Sequence, residues 1–376
     1  MKIVVDKQIP FIRGVLDKYA QVVYLEGGSI TRNQVLEADA LVVRTRTKCN
    51  AALLEGTKVR FIATATIGYD HIDVDFCRAN QIHWTNAAGS NSSSVQQYVA
   101  ATLFQLAHKL HFDLARKTIG IVGVGNVGTK VAKLCNVLGM HVLLNDPPRE
   151  RREGPSAFVS LNAIVEQADI ITLHVPLSYE GEDKTFHLAD EKFLSRLQPD
   201  QTLINTSRGE VADSNSLKIA LKGRKLAACV LDVWENEPKI DLELLDLVDI
   251  GTPHIAGYSA EGKANATAMS VQAVSRFFGL GIDSWFPEKV PLPSSANIEV
   301  DCKNLSQQEV IGKLIERTYD ISLDDLKLRK SPGTFEKQRA DYPLRREFPA
   351  YTVKLLNTGD NIRQLIQKVG FNVLDP

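Results

Sequence analysis

From Lys2 onward, short apolar runs rich in β-branched residues recur at intervals long enough to hold a helix, and this alternation restricts the fold more than any other feature. The runs are KIVVD at 2–6, VVYL at 22–25, ALVV at 40–43, VRFIATA at 59–65 and IHWTN at 82–86. After a gap they resume as TIGIVG at 118–123, HVLLND at 141–146, ADIITLHV at 168–175, QTLINTS at 201–207, LAACVLDV at 226–233 and VDIGTPH at 248–254. Strands buried on both faces are apolar along their length, and strands joined through helices run parallel. The chain is therefore expected to be α/β, with a first unit over about residues 1–90 and a second whose six strands match a doubly wound dinucleotide-binding fold.

The intervening segments fix the connections. Asn91, Ser92, Ser93 and Ser94 offer helix caps ahead of VQQYVAATLFQLAHKL, a helix leading out of the first unit. The helical stretch at 260–280 follows His254 and is expected to return to that unit. Residues 287–297, PEKVPLPSSAN, read as an extended linker. Some 80 residues follow, with helical patterns in LSQQEVIGKLIERTYD and TGDNIRQLIQKVG; a module that small is short of core, so burial against a partner subunit is expected. With 44 Lys plus Arg against 45 Asp plus Glu, the chain lacks the basic surplus of a nucleic-acid binder. No run reaches the length of a membrane span and no secretory leader is read, so no membrane partner is expected. The five cysteines, Cys49, Cys77, Cys135, Cys229 and Cys302, form no CxxC pair, which fits a reducing cytoplasm and no metal site.

Gly123-Val124-Gly125-Asn126-Val127-Gly128 follows a strand and opens a helix. Gly123 permits the tight turn, Gly125 lets a pyrophosphate approach the backbone, and Gly128 lets helix and strand pack closely. The helix N-terminus then faces the anion with unpaired N–H groups. Asp146 ends the next strand, where a carboxylate accepts from ribose hydroxyls and repels a 2′-phosphate, so the expected cofactor is NAD rather than NADP. Arg149, Arg151 and Arg152 complicate that preference, since they are able to neutralise a phosphate.

Ligands in such sheets lie beyond the carboxyl ends of the strands. Arg208, Glu237 and His254 all fall just past strand runs. A guanidinium holds a carboxylate through paired hydrogen bonds, an imidazole takes a hydroxyl proton as hydride leaves, and an acidic neighbour orients the imidazole. That set suits oxidation of a 2-hydroxy acid. Each residue also has a plainer reading: a strand-end arginine, a solvated loop carboxylate, a turn histidine. His174 is a rival base. Arg44 and Arg46 flank Thr45 after ALVV and either share an anionic ligand or solvate a sheet edge. His108 and His111 are three apart but lack a third metal ligand. Arg339, Arg345 and Arg346 either assist a neighbouring subunit's site or form a solvated face.

VGVGNVGTKVA, ADIITLHVPLS, LINTSRGEVAD, DVWENEP and TPHIAGYS, spread over about 118–260, resemble the D-isomer-specific 2-hydroxyacid dehydrogenases. The resemblance implies catalytic Arg208, Glu237 and His254. It places Asn126, Val127, Asp146, Val175, Thr206, Ser207, Asp232 and Gly257 along NAD beside Gly123, Gly125 and Gly128, and Thr45, Thr66 and Tyr258 at a small phosphorylated hydroxy-acid substrate, whose phosphate end the Arg44 and Arg46 guanidiniums are suited to receive. It also implies a Rossmann-type nucleotide domain, 95–257, inserted into a discontinuous flavodoxin-like substrate domain, 1–94 and 258–286, with a small α+β dimerisation domain at 287–376 making a homodimer. A 3-phosphoglycerate-type dehydrogenase and a non-catalytic NAD sensor are the alternatives. The loop 177–188 is longer than the family's compact version.

Overall fold

The computed structural model describes residues 1–374. Its contacts group into two units: Met1–Asn91 with Ser259–Pro291, and Ser92–Tyr258 with the chain from Leu292 onward.

In the first unit, β1 (Lys2–Asp6), β2 (Gln21–Leu25), β3 (Ala40–Val43), β4 (Phe61–Thr64) and β5 (His83–Asn86) form one parallel sheet in the order β2-β1-β3-β4-β5. This is the flavodoxin-like order. Ile3, Val4, Val5, Leu41, Val42, Val43 and Ile62 are fully buried, as expected where helices cover both faces of a sheet. The Ala260–Phe278 helix belongs to this unit and buries Val271 and Val274 in its core, with the Phe277 ring stacked on Phe61 at 4.6 Å.

The second unit holds β6 (Thr118–Val122), β7 (His141–Asn145), β8 (Ile170–Leu173), β9 (Thr202–Asn205), β10 (Ala228–Leu231) and β11 (Ile250–Gly251), all parallel, in the order β11-β10-β9-β8-β6-β7. The direction of winding reverses between β6 and β8, which creates the switch-point crevice of a Rossmann-like sheet. The Ser92–Leu110 helix starts earlier than its sequence suggested. The serines expected to cap it lie in its first turn, where the Ser94 hydroxyl donates to Glu347 at 2.8 Å and Ser93 accepts from Lys130.

Three further parallel strands, β12 (Asn297–Asp301), β13 (Thr352–Leu356) and β14 (Asn372–Val373), form the C-terminal sheet. This segment was read from sequence as a separate module, yet its contacts join it to the nucleotide sheet. Ile298, Val300, Val310, Leu314, Val353 and Leu355 share one core with Tyr98, Leu103 and Phe104 of the Ser92–Leu110 helix. The Ile321–Lys330 helix closes the edge at β11, where Asp325 accepts from the Gly251 N–H at 2.6 Å and Arg329 donates to the carbonyls of Leu245 and Val248. An edge strand covered in this way is no template for another chain. All five cysteines are free and buried, and no helix among the described residues is long and apolar enough to cross a membrane.

Candidate active site

The glycine loop between β6 and the Asn126–Val137 helix has the shape its composition demands. Gly123 has φ +88°, and a β-carbon there would lie 2.7 Å from the His174 backbone; one at Gly128 would lie 2.0 Å from the Gly123 carbonyl. A β-carbon on Gly125 would meet nothing within 4 Å. Gly125 caps the helix without a side-chain bond, so the first N–H groups, those of Asn126 and Val127, lack a side-chain acceptor. Open space before an uncapped helix N-terminus suits a pyrophosphate. The residues present therefore fit a dinucleotide.

Asp146 follows β7 and caps the Pro147–Glu153 helix, half-buried, with its carboxylate accepting from the N–H groups of Val124 (2.8 Å) and Arg149 (3.0 Å). Arg149 is committed elsewhere: its Nε and Nη2 grip Glu153 at 2.6–3.1 Å, and its Nη1 donates to the Val124 carbonyl at 2.6 Å. Arg152 also pairs with Glu153, at 2.5 Å. Arg151 pairs with Asp183 and Glu182, which ties the long loop 177–188 to the helix carrying these arginines. That cross-link accounts for the loop's acidic tip.

Arg208, Glu237 and His254 follow β9, β10 and β11, neighbouring strands of one sheet, at their carboxyl ends. Glu237 and His254 are in direct contact, Nδ1 to Oε2, at 2.8 Å. The second Glu237 oxygen accepts from the Trp234 N–H at 3.0 Å. Burial pushes the Glu237 carboxyl up, but the His254 hydrogen bond and charge, with the Trp234 N–H and the Arg339 charge, outweigh it and hold the group below its ordinary value. Arg208 lies one strand over, with Nη1 donating to the Ser207 carbonyl at 2.8 Å. A β-carbon on Gly209 would lie 2.0 Å from the Trp234 backbone, so glycine there lets the Arg208 loop abut the loop carrying Glu237.

Asp232 organises the His254 loop. Its carboxylate accepts from the Thr252 hydroxyl (2.7 Å) and from the N–H groups of Ile255 (2.8 Å) and Ala256 (2.9 Å). Burial raises its pKa, against the opposing pull of His254 and these donors. Gly257 and Tyr258 follow this turn, partly exposed. Ser207 is buried and bonded to Asn205 at 2.7 Å. Thr206 reaches His174 Nδ1 at 3.1 Å, and Thr172 reaches its Nε2 at 3.0 Å. Both ring nitrogens of His174 are thus engaged, and burial of the ring pushes its pKa down to about 3 although the residue keeps some exposed surface. The geometry argues against the rival base and gives His174 the task of holding Thr206. Val175 packs beside Gly123.

In the first unit, Arg44, Thr45 and Arg46 lie past the end of β3, in a turn closed by the Thr47 N–H to the Arg44 carbonyl at 3.1 Å. They are not on the strand, so alternation of strand faces does not relate the two guanidiniums. Arg44 donates to the Gln8 carbonyl at 3.2 Å. Thr66 follows the adjacent β4, bonded to Thr64 at 2.7 Å, and Thr64 in turn meets His71 at 2.9 Å. His111 lies beyond the end of the Ser92–Leu110 helix at φ 56°, so it shares no helix face with His108. His187, Asp213 and Glu235 gather closely enough to hold a metal, but His187 bonds Glu235 at 2.8 Å and Asp213 caps the Ser214–Lys222 helix.

The tail arginines were weighed from sequence as reaching a neighbour; two of them serve their own chain. Arg345 is buried, directs Nη2 at the carbonyls of Ala256, Ile255 and Ser94, and stacks over the Tyr319 ring at 4.4 Å. Arg339 approaches Glu237 to 3.9 Å. Nothing local in the sequence links residue 339 to residue 237. Only the packing of the tail brings them together.

The match to known proteins follows this geometry. Residues 87–256 match the family described as D-isomer specific 2-hydroxyacid dehydrogenase, NAD binding domain, and residues 291–370 match a model described as Domain of unknown function (DUF3410). Among solved structures, the D-lactate dehydrogenase of Aquifex aeolicus, complexed with NAD and lactic acid, is similar at 25% identity and a TM-score of 0.60, covering 76% of this chain and 98% of that one. The NAD+-bound 3-phosphoglycerate dehydrogenase of Entamoeba histolytica is similar at 25% identity and a TM-score of 0.64, covering 77% and 99%. Fold and site thus define an NAD-dependent oxidoreductase of the 2-hydroxyacid dehydrogenase class.

Closer relatives carry one name. The chain is 50% identical over 354 residues to the erythronate-4-phosphate dehydrogenase of Bacteroides fragilis (strain YCH46), covering 94% of this chain and 99% of that one. It is 41% identical over 378 residues to that of Escherichia coli O7:K1, covering 100% and 99%. The chain belongs to the erythronate-4-phosphate dehydrogenase family.

Proposed function

We propose that this chain oxidises 4-phospho-D-erythronate to 3-hydroxy-2-oxo-4-phosphooxybutanoate with NAD, a step towards pyridoxal 5′-phosphate, as a cytoplasmic homodimer joined through its C-terminal segment. The relatives' name over nearly the full chain supports the substrate. The observation that carries the chemistry is the 2.8 Å contact between Glu237 and His254 on the strand end beside Arg208. Exposed Leu323, Leu326 and Leu344 in the tail support a subunit contact there.

In this reading the Arg208 guanidinium holds the substrate carboxylate through paired hydrogen bonds and so fixes the carbon that is oxidised. His254 donates Nδ1–H to Glu237, which leaves Nε2 to take the hydroxyl proton. Glu237 holds the ring's orientation and stabilises the imidazolium that forms. NAD, when bound, accepts the hydride. The Gly123–Gly128 turn would hold the cofactor's pyrophosphate and Asp146 its ribose, with Val175, Thr206, Ser207, Asp232 and Gly257 lining the same site. Arg44, Thr45, Arg46, Thr66 and Tyr258 are assigned to the substrate, a role that rests on the family resemblance and on the affinity of guanidinium groups for phosphate.

His254→Asn tests the assignment. Loss of general-base catalysis is expected to lower kcat by about 10²–10⁴-fold, with NAD affinity by calorimetry unchanged. Wild-type turnover in the variant would refute the role.

A further inference from the structure

The nucleotide sheet does not supply every charge around Glu237. Arg339 lies in the Phe335–Ala340 helix of the C-terminal segment, its side chain 22% exposed, with Nη1 3.9 Å from the same Glu237 oxygen that His254 contacts at 2.8 Å. On its outer side Nη1 meets Glu336 at 3.3 Å, and the guanidinium hydrogen-bonds the Tyr258 hydroxyl. Its Nε is buried without an acceptor among the described residues. A guanidinium stays charged at every working pH. One permanent cation therefore touches both the carboxylate that orients the proposed base and the tyrosine assigned to the substrate.

We propose that Arg339 is a positioning residue for the reaction, forming an Arg339–Glu237–His254 relay through which the C-terminal segment sets the protonation of the base. This rests on the functional reading above. The cation adds to the hydrogen bonds that favour ionised Glu237, and it opposes a second positive charge on the neighbouring imidazole. The other charged or titratable groups around the relay are Asp232 on the His254 side, Glu336 and Tyr258 around Arg339, and the buried Arg345 with Asp324 behind the His254 loop. Asp232 is held by three hydrogen bonds, and Arg345 is held by backbone carbonyls. Arg339 is the member of this set that bridges Glu237 to the C-terminal helix.

The test is the pH profile of kcat/KM for 4-phosphoerythronate oxidation in the full-length protein, comparing wild type with R339Q and R339K. Without the cation the imidazole takes up its proton more readily, so the acidic limb for R339Q is expected to move to higher pH by about one unit. R339K keeps the charge and is expected to leave the limb near its wild-type position even where kcat falls. NAD affinity should be unchanged in both. If wild type turns over and the R339Q limb stays in place, or if R339Q and R339K shift alike, the relay is wrong and the functional reading stands. If R339Q does not fold, R339K decides: a limb displaced as far as that predicted for R339Q refutes the charge-based relay, and one that stays supports it. Wild type inactive on this substrate would overturn the functional reading, and the relay with it.

Discussion

The backbone of His254 has φ 55°, a left-handed conformation that costs a residue with a β-carbon roughly 1–2 kcal/mol. Asp232 holds it there: its carbonyl accepts from the His254 N–H at 2.7 Å while its carboxylate gathers the next two N–H groups. The strained turn aims the ring at Glu237. Cofactor choice also rests on single residues. Glu153 is held down to about 2 by its hydrogen bond with Arg149 and then that with Arg152, and it engages both guanidiniums. Glu153→Gln is expected to lower the KM for NADP about tenfold, as charge-assisted partners are freed for phosphate, while the KM for NAD stays fixed. An unchanged NADP to NAD ratio would show that Asp146 alone sets the preference. The strand-end placement of Arg208, Glu237 and His254 was legible in the sequence because each follows an apolar strand run within a recognisable local pattern. Arg339 was not, since about one hundred residues of chain separate it from Glu237 and no periodicity spans such a gap. The scattered donors of Asp232 were hidden for the same reason.

Elements were easiest to read where burial leaves no choice. The inner strands of both large sheets, such as ALVV, IITL and TLIN, are nearly continuous apolar runs, because helices cover both faces and polar alternation has no solvent to face, whereas the edge strands β2 and β5 are only partly buried. Ends were harder. Ser92–Ser94 read as caps but begin a helix whose first turn is satisfied by tertiary partners, and Arg44 and Arg46, weighed as sharing one strand face, lie in a turn beyond β3. The C-terminal segment acts on the site through its elements as well. Arg345 lies between the Tyr319 and Tyr342 rings, whose hydroxyls both donate to Asp324, and props the Ile255–Ala256 backbone next to His254. Burial raises the Asp324 pKa, opposed by these hydroxyls and by the Arg345 charge. Arg345→Met removes the charge that faces Asp324 and the donor to three buried carbonyls, and is expected to cost about 3–5 kcal/mol in urea unfolding, as removal of one partner from a buried ionic network does. A change below about 1 kcal/mol would mean that water or rearrangement replaces the prop.

At the scale of the whole molecule, the parallel character of both large sheets followed from the α/β alternation and the flavodoxin-like first unit from the family resemblance, but the allegiance of the tail did not. An 80-residue segment behind a proline-rich linker reads as a small module short of core and in need of a partner subunit; its apolar strand faces share a core with the Ser92–Leu110 helix of the same chain. Composition gives no hint of this, since an amphipathic helix looks the same whichever surface covers it. The consequence is a nucleotide-binding unit whose site is buttressed by residues from the end of the chain, Arg345 behind the His254 loop and Arg339 beside Glu237. The central claim, oxidation of a phosphorylated 2-hydroxy acid with NAD, is tested most directly by following NADH at 340 nm with purified protein given 4-phospho-D-erythronate, 3-phosphoglycerate or unphosphorylated erythronate. The account predicts kcat/KM for 4-phosphoerythronate at least about 100-fold above either alternative, as two specific polar contacts supply. Equal rates on the unphosphorylated acid, or no NADH from any of the three, would contradict it.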